Sequence, residues 1–120
     1  MDLEVTQPDT PQGVAIVQFS GEMDIGELGV DQLRQAFDQL VDGGVRNVVL
    51  DLSEATYIVS RGFGQMLVAL ARLRTRGGDL RIAGAHGSVL AAADMVGLNS
   101  IIRFYPTREE AIGSFEGAEA

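Results

Sequence analysis

Short apolar runs alternate along this chain with longer segments in which apolar residues recur at helical spacing, and this alternation restricts the possible folds most. Val48–Leu50 is a continuous apolar run, as is typical of a strand covered on both faces of a parallel sheet. Glycine pairs follow two of the helical segments, at Gly43-Gly44 and Gly77-Gly78, and glycine commonly ends a helix. Strands that alternate with helices predict right-handed crossovers and a mostly parallel sheet.

The predicted order of elements is β-β-α-β-α-β-α-β-α. Leu3 and Val5 alternate with polar neighbours and predict a short edge strand. Turn residues join it to a hairpin partner over Val14–Phe19, which ends in the loop Ser20–Asp24. The later elements are helices from Gly29, from Ser60, over Ser88–Val96 and from Thr107, and strands over Val48–Leu52, Leu80–Ile82 and Ile101–Phe104. The fold class is therefore α/β, with a mixed, mostly parallel sheet of about four to five strands and about four helices.

Two polar residues stand where predicted helices begin. Ser60 is a candidate N-cap, because apolar residues recur after it at helical spacing, namely Phe63, Met66, Leu67, Leu70 and Leu73. Thr107 precedes Glu110 by three residues, which is the spacing of a capping box.

The bulk composition indicates one soluble domain. The chain has 120 residues, of which 46% are hydrophobic, so residues 1–117 suffice for a single core and 118–120 are expected to fray. The net charge of −8 disfavours nucleic acid and anionic membranes as partners. No apolar stretch approaches the roughly 18 to 20 residues of a membrane helix, and the acidic start lacks a signal-peptide pattern. We therefore expect a cytoplasmic protein with no direct membrane insertion.

Catalytic and cofactor motifs are missing from the sequence. The chain has no Cys and one His, His86, which excludes the usual zinc ligand sets. Arg61–Gly64 lacks the full G-x-G-x-x-G spacing, and no P-loop motif occurs. The carboxylate pairs Glu22/Asp24 and Asp51/Glu54 have no nucleophile and base beside them in sequence, and Ser60 is not part of a G-x-S-x-G elbow. The sequence predicts neither an enzyme nor a bound metal or cofactor.

Ser60 itself has two interpretations. As an N-cap, its hydroxyl would satisfy a free backbone N–H and contribute roughly 1 kcal/mol. As a phosphorylation site, it would hold a phosphate at a helix N-terminus, where unpaired N–H groups favour negative charge. Phe63, which two glycines flank, is either an exposed apolar anchor for a partner or an ordinary core residue, and the same choice holds for Met66.

Beyond these patterns, the sequence resembles the STAS domain, the family of sulphate transporters and anti-sigma-factor antagonists. The resemblance covers nearly the whole chain, and the order and spacing of its segments are more specific than any one of them. The matching segments are Gly21-Glu22-Met23-Asp24, like the family's G-E-L-D turn; Val48-Val49-Leu50-Asp51-Leu52-Ser53, like V-L-D-L-S; Ser60-Arg61-Gly62-Phe63-Gly64, like the D-S-S-G-L-G helix start; and Arg76–Leu80 and Met95–Leu98, like its R-G-G and T-G-L segments.

The resemblance implies a phosphorylation switch at Ser60. In stand-alone members of the family, the serine after the aspartate is phosphorylated by a kinase that is also an anti-sigma factor. The unphosphorylated protein binds that kinase and frees the sigma factor, and a phosphatase resets the system. Ser60 matches that serine, so the resemblance implies a phosphoprotein in signal transduction and transcription regulation.

Two residues depart from the family pattern beside Ser60. Val59 replaces the aspartate, which removes a local acceptor, and Arg61 replaces the second serine. Arg61 can pair with a phosphate, can alter which kinase docks, or can mark a member that binds partners without phosphorylation. The sequence leaves these three alternatives open.

The leading hypothesis is a non-enzymatic anti-sigma factor antagonist that binds a serine kinase and is reset by a phosphatase. The alternatives are an accessory subunit of an ABC-type lipid transporter and a module that senses an anion or nucleotide at the same helix start. The oligomeric state stays open. The predicted partner-binding residues are Glu22, Asp24, Val59, Ser60, Arg61, Gly62, Phe63, Gly64 and Met66.

Overall fold

The computed structural model describes residues 2–6, 13–23 and 28–115. Asp24 and the predicted frayed end at 118–120 lie outside the described residues. The element order β-β-α-β-α-β-α-β-α is confirmed. The elements are β1 (Asp2–Thr6), β2 (Val14–Met23), α1 (Leu28–Asp42), β3 (Asn47–Ile58), α2 (Ser60–Thr75), β4 (Asp79–Ala83), α3 (Gly87–Met95), a 3-10 turn (Leu98–Ser100), β5 (Arg103–Tyr105) and α4 (Arg108–Gly113).

The predicted mixed sheet is confirmed. Its five strands lie in the order β1-β2-β3-β4-β5, with β1 antiparallel to β2 and every other neighbouring pair parallel. The carboxyl ends of β2 to β5 therefore share one edge of the sheet, here called the carboxyl edge, and their amino ends share the opposite amino edge. Each helix follows a parallel strand in the chain, so all four helices begin at the carboxyl edge.

Two apolar clusters hold the layers together. The larger one joins the sheet to α1, α2 and α3 through fully buried residues such as Phe19, Leu33 and Leu50. The smaller one, on the other face, packs Ala111 and Phe115 at the end of the chain against the sheet. The continuous apolar run at Val48–Leu50 is thus explained, because β3 carries helices on both faces.

The pairing of β2 with β3 extends beyond the predicted strands. We expected these strands to end at Phe19 and Leu52, but they stay paired as far as Met23 and Ile58. Over this extension β3 carries two more residues than β2, taken up at two register shifts. Bulges of this kind break the two-residue alternation, which is why the apolar pattern did not reveal the extension.

The ends of other elements agree with local signals, with one correction. Thr107 caps α4 as predicted, since its Oγ1 accepts a 3.1 Å hydrogen bond from the backbone N–H of Glu110. The prediction of a strand over Ile101–Phe104 was wrong at its start. The backbone N–H groups of Ile101 and Ile102 both donate to Leu98 in the 3-10 turn, so pairing with β4 begins only at residue 103.

None of the helices within the described ranges is both long enough and apolar enough to cross a membrane.

Gly78 provides a test of how β3 and β4 meet. A Cβ at this position would overlap the backbone carbonyl of Arg46, which accepts a 3.0 Å hydrogen bond from the N–H of Asp79. We expect Gly78→Ala to lower the free energy of unfolding by about 2–3 kcal/mol, as overpacking does, measured by urea denaturation. Gly113→Ala is the matched control, because no atom lies within 4 Å of a Cβ there; equal midpoints for the two variants would contradict the prediction.

Candidate functional site

The start of α2 lies at the carboxyl edge, and Ser60 is its first residue rather than its cap. Val59 holds the N-cap position in an extended conformation, and no side chain caps the helix. The N–H of Val59 donates to the carbonyl of Met23 (2.9 Å), and its carbonyl accepts from the N–H of Gly62 (2.8 Å). The prediction of Ser60 as N-cap was therefore wrong, because the pairing of β2 with β3 brings the first helical turn forward by one residue.

Ser60 is free to meet solvent at this helix start. Both Ser60 and Arg61 are exposed, and no side-chain hydrogen bond or ion pair with another described residue holds either of them. The first N–H groups of a helix have no acceptor within the helix, and here no side chain replaces that acceptor. This geometry favours negative charge next to Ser60.

Three of the predicted contact residues belong to the core instead. Phe63 is 5% exposed, Val59 is 8% exposed and Met66 is fully buried. They lie on the face of α2 that packs against the sheet, because residues three and four apart share one side of a helix. The hypothesis that Phe63 is an exposed anchor was therefore wrong, because almost none of its side chain reaches the surface.

The two glycines of the helix start have different surroundings. A Cβ on Gly62 would lie 2.7 Å from both the Cγ2 of Ile58 and the Sδ of Met23, so Gly62 lets α2 pack closely against the ends of β2 and β3. Gly64 is exposed, and no atom lies within 4 Å of a Cβ there. A side chain at position 62 would therefore force the side chains of Met23 and Ile58 to shift, whereas position 64 has room for one.

An exposed strip runs along α2 from Ser60, and we call it the α2 outer face. Leu67 is 37% exposed and Val68 53% exposed, although Leu67 is one of the apolar residues that recur at helical spacing after Ser60. Apolar side chains that stay in solvent next to an exposed glycine form a surface suited to a protein partner. The α2 outer face consists of Ser60, Arg61, Gly64, Leu67 and Val68.

Two strand residues border this surface. Glu22 is exposed on β2 and pairs with Tyr57 of β3, so it lies in a strand and not in the predicted loop. Tyr57 is 45% exposed, and the sequence analysis missed it because it belongs to the unpredicted extension of β3. An aromatic residue in a polar stretch just before a helix start was the available signal.

His86 has a structural role at the neighbouring helix. It is the N-cap residue of α3. Its Nε2 hydrogen-bonds the carbonyl oxygen of Ser53 (2.9 Å), and Ser88 Oγ donates to the carbonyl of Thr56 (3.0 Å). These bonds tie α3 to the extension of β3. The His86 ring therefore forms no Ser–His pair with Ser60. The part of the chain that the structure describes has no acidic or histidine cluster that could hold a metal.

Asp51 supports the carboxyl edge from the other face of the sheet. It is 5% exposed and accepts 2.9 Å hydrogen bonds from the N–H of Ser53 and from Nε of Arg108. Burial raises the pKa of Asp51, but the bonds from Ser53 and Arg108 outweigh burial, and the pKa lies below its ordinary value of 3.8. The ion pair fixes the start of α4 against β3.

The sequence matches a known protein family along most of its length. The model of the STAS domain matches residues 6–111. The anti-sigma F factor antagonist of Paenibacillus polymyxa is 26% identical over 117 residues, which is 97% of each chain. BtrV of Bordetella bronchiseptica, named for anti-sigma factor antagonism, is 31% identical over 110 residues, which is 92% of this chain and 93% of BtrV.

Solved structures share the fold at lower identity. An anti-sigma factor antagonist from Thermotoga maritima superposes with a TM-score of 0.83 at 20% identity, over 95% of this chain and 94% of that one. Phosphorylated SpoIIAA of Bacillus gives 0.72 at 19% identity, over 94% and 98%. The STAS domain of a SulP transporter from Vibrio cholerae gives 0.71 at 16% identity, over 92% and 87%. One fold therefore occurs both in stand-alone regulators and in a transporter.

The two glycines at the start of α2 should respond in opposite directions to alanine. Gly64→Ala should raise the free energy of unfolding by about 0.5–1 kcal/mol, since exposed glycine weakens a helix interior. Gly62→Ala should lower it by about 1–3 kcal/mol through overpacking against Met23 and Ile58. Urea denaturation of both variants checks the pair, and a loss of stability in Gly64→Ala would show that the fold does need this glycine.

The Asp51–Arg108 ion pair should make the free energy of unfolding depend on pH. Because the folded pKa of Asp51 is below the ordinary value of 3.8, the folded state binds fewer protons than the unfolded state. Its contribution is complete above about pH 5 and is lost as the pH falls through the folded pKa. Between about pH 5 and pH 2.5, wild type should therefore lose more unfolding free energy than Asp51→Asn. Urea titrations of wild type, Asp51→Asn and a control, the exposed Asp31→Asn, give the free energy of unfolding at each pH. Equal losses in wild type and Asp51→Asn would contradict the prediction.

Proposed function

Because the chain belongs to the STAS domain family, we propose that it is a partner-switching regulator, an anti-sigma factor antagonist that binds a serine kinase. The curated relatives are regulators rather than enzymes. The observation that carries the proposal is the exposed Ser60 at an uncapped helix start, next to apolar residues that remain in solvent on α2. In this scheme the kinase is also the anti-sigma factor, it docks on the α2 outer face, and a phosphatase resets the protein.

Phosphorylation of Ser60 is compatible with the folded domain. The hydroxyl lies in solvent, so a phosphate can be added without opening the core. The added charge of roughly −2 would meet the N-terminus of α2, where the helix dipole and free N–H groups favour an anion. The modification would therefore leave the fold intact and change the charge and shape of the α2 outer face.

The departures from the family pattern make this site more cationic. The segment Val59-Ser60-Arg61 stands where the family has D-S-S, so one negative charge is lost and one positive charge is gained. Arg61 is exposed and forms no ion pair with a described residue, which leaves its guanidinium free to bind a phosphate on Ser60. Of the three alternatives for Arg61, pairing with the phosphate has the most support.

Glu22 and Tyr57 extend the proposed contact surface beyond the helix. Tyr57 lies three residues before Ser60 in the chain and pairs with Glu22 across β3 and β2, and both are exposed. Tyrosine is enriched in protein interfaces, and a carboxylate such as Glu22 suits a partner that carries basic residues. The net charge of −8 adds long-range attraction toward such a partner.

The transporter alternative uses the same surface with a different occupant. An accessory subunit of a lipid transporter would present the α2 outer face to an ATPase subunit, and the fold of the SulP domain shows that this architecture also serves transporters. A sensor of anions or nucleotides would use the helix start instead. The identity of the captured partner separates these alternatives.

Ser60 variants test the switch. We expect wild type and Ser60→Ala to capture a histidine-kinase-like serine kinase from the source cell. Ser60→Asp should bind that kinase at least about tenfold more weakly, because a charge buried at an interface beside a like charge, or without a partner, costs about 1.4 kcal/mol or more. Purified kinase with ATP should add one phosphate to wild type and none to Ser60→Ala, read by mass spectrometry.

Ser100→Asp is the matched control, because Ser100 is also exposed and lies outside the α2 outer face. It should bind the kinase as wild type does. The proposal fails if the kinase leaves wild type unmodified and binds Ser60→Asp as tightly as wild type. Capture of a transporter ATPase in place of a kinase would support the transporter alternative.

A further inference from the structure

Four arginines gather in one groove at the amino edge, the edge opposite Ser60. The groove encloses about 460 Å³ where β3, β4 and β5 begin and α2 ends. Every basic side chain of the chain is an arginine, nine in all, so almost half of them line this one place. The groove is formed by Arg46, Asn47, Arg74, Gly77, Gly78, Asp79, Arg81, Arg103 and Phe115.

Two of these arginines are held rigidly. Arg81 is 5% exposed; its Nε donates to Asp79 (3.0 Å), its Nη1 donates to Ser114 Oγ (2.8 Å), and its guanidinium lies 4.1 Å from the ring centroid of Phe115. Arg74 donates to the other oxygen of Asp79 (3.1 Å) and to the carbonyl of Ile101 (3.2 Å). One carboxylate thus serves two guanidinium groups.

The other two arginines have no carboxylate partner among residues 2–6, 13–23 and 28–115. Arg46 and Arg103 are exposed, and neither forms an ion pair there. Among the described residues that line the groove, four arginines stand against one carboxylate, Asp79, in a chain of net charge −8. Like charges brought together repel, and a bound anion would relieve that repulsion.

The charges of Arg81 and Arg103 also act on the neighbouring Tyr105. A hydrogen bond with Ser114 lowers the pKa of the Tyr105 phenol, burial raises it, and a hydrogen bond with Arg103 and the charges of Arg81 and Arg103 lower it further, to a net value below the ordinary 10.0. The hydrogen bond with Ser114 is the largest of these effects, and the charges of Arg81 and Arg103 act in the same direction.

We propose that the groove at the amino edge binds the dianionic phosphate group of a small phosphate monoester. Guanidinium groups present paired donors that match phosphate oxygens. Arg74 and Arg81 are held by hydrogen bonds to Asp79, while Arg46 and Arg103 are exposed and have no carboxylate partner among the described residues. The volume of about 460 Å³ exceeds that of a single phosphate ion, so an organic group also fits. The site lies at the opposite end of the strands from Ser60, and it does not depend on the proposed partner switch.

Titration of the full chain with a phosphate monoester, glycerol phosphate, tests the proposal at constant ionic strength. We expect saturable changes in the amide resonances of Gly77, Gly78 and Asp79. The double variant Arg46→Gln, Arg103→Gln should raise the Kd about tenfold or more, because two charge-assisted contacts are lost. Both side chains are exposed, and an unchanged thermal unfolding midpoint confirms that the variant is folded.

Arg34→Gln is the control, since Arg34 is also exposed but lies on α1, outside the residues that line the groove. It should leave the Kd unchanged. Inorganic phosphate should bind the same residues more weakly, and malonate, a dicarboxylate, more weakly than the monoester. The proposal is overturned by changes that do not saturate, by equal binding of the double variant, by loss of binding in Arg34→Gln, or by malonate binding more tightly.

Discussion

The long parallel pairing of β2 with β3 is the constraint on which the rest of the structure depends. The pairing continues to Met23 and Ile58 through two register shifts. Beyond it, the N–H of Val59 donates a final backbone hydrogen bond to the carbonyl of Met23. That bond sets the residue at which α2 begins. It also brings the first turn so close to the strand ends that a Cβ at position 62 would crowd the side chains of Met23 and Ile58. The place and exposure of Ser60 follow from this backbone geometry.

Because of the same geometry, the two sides of α2 have different roles. The inner side carries Phe63 and Met66 into the core, where their burial stabilises the fold. The outer side carries Ser60 and Gly64, which the core does not need. A surface with no role in packing can change its charge at little cost in stability, and that property is what a phosphorylation switch requires.

The two edges of the sheet differ in charge and in how they are built. At the carboxyl edge, the helix start and Arg61, which has no ion-pair partner among the described residues, meet solvent. At the amino edge, arginines from β4, β5 and the end of α2 converge around Asp79. The acidic composition gives no indication of this local concentration of positive charge, because the net charge of a chain does not depend on where its charges lie.

Composition, spacing and capping signals in the sequence determined the α/β class, the order of all nine strands and helices, and the Thr107 cap of α4, because each of these depends on residues close together in the chain. The resemblance of short motifs identified the family and directed attention to Ser60. Only the tertiary structure decided that Ser60 begins the helix, that Phe63 is buried while Leu67 is not, and that four distant arginines share a groove. Register shifts and crossover packing set these features, and no periodicity in the sequence records contacts between segments dozens of residues apart.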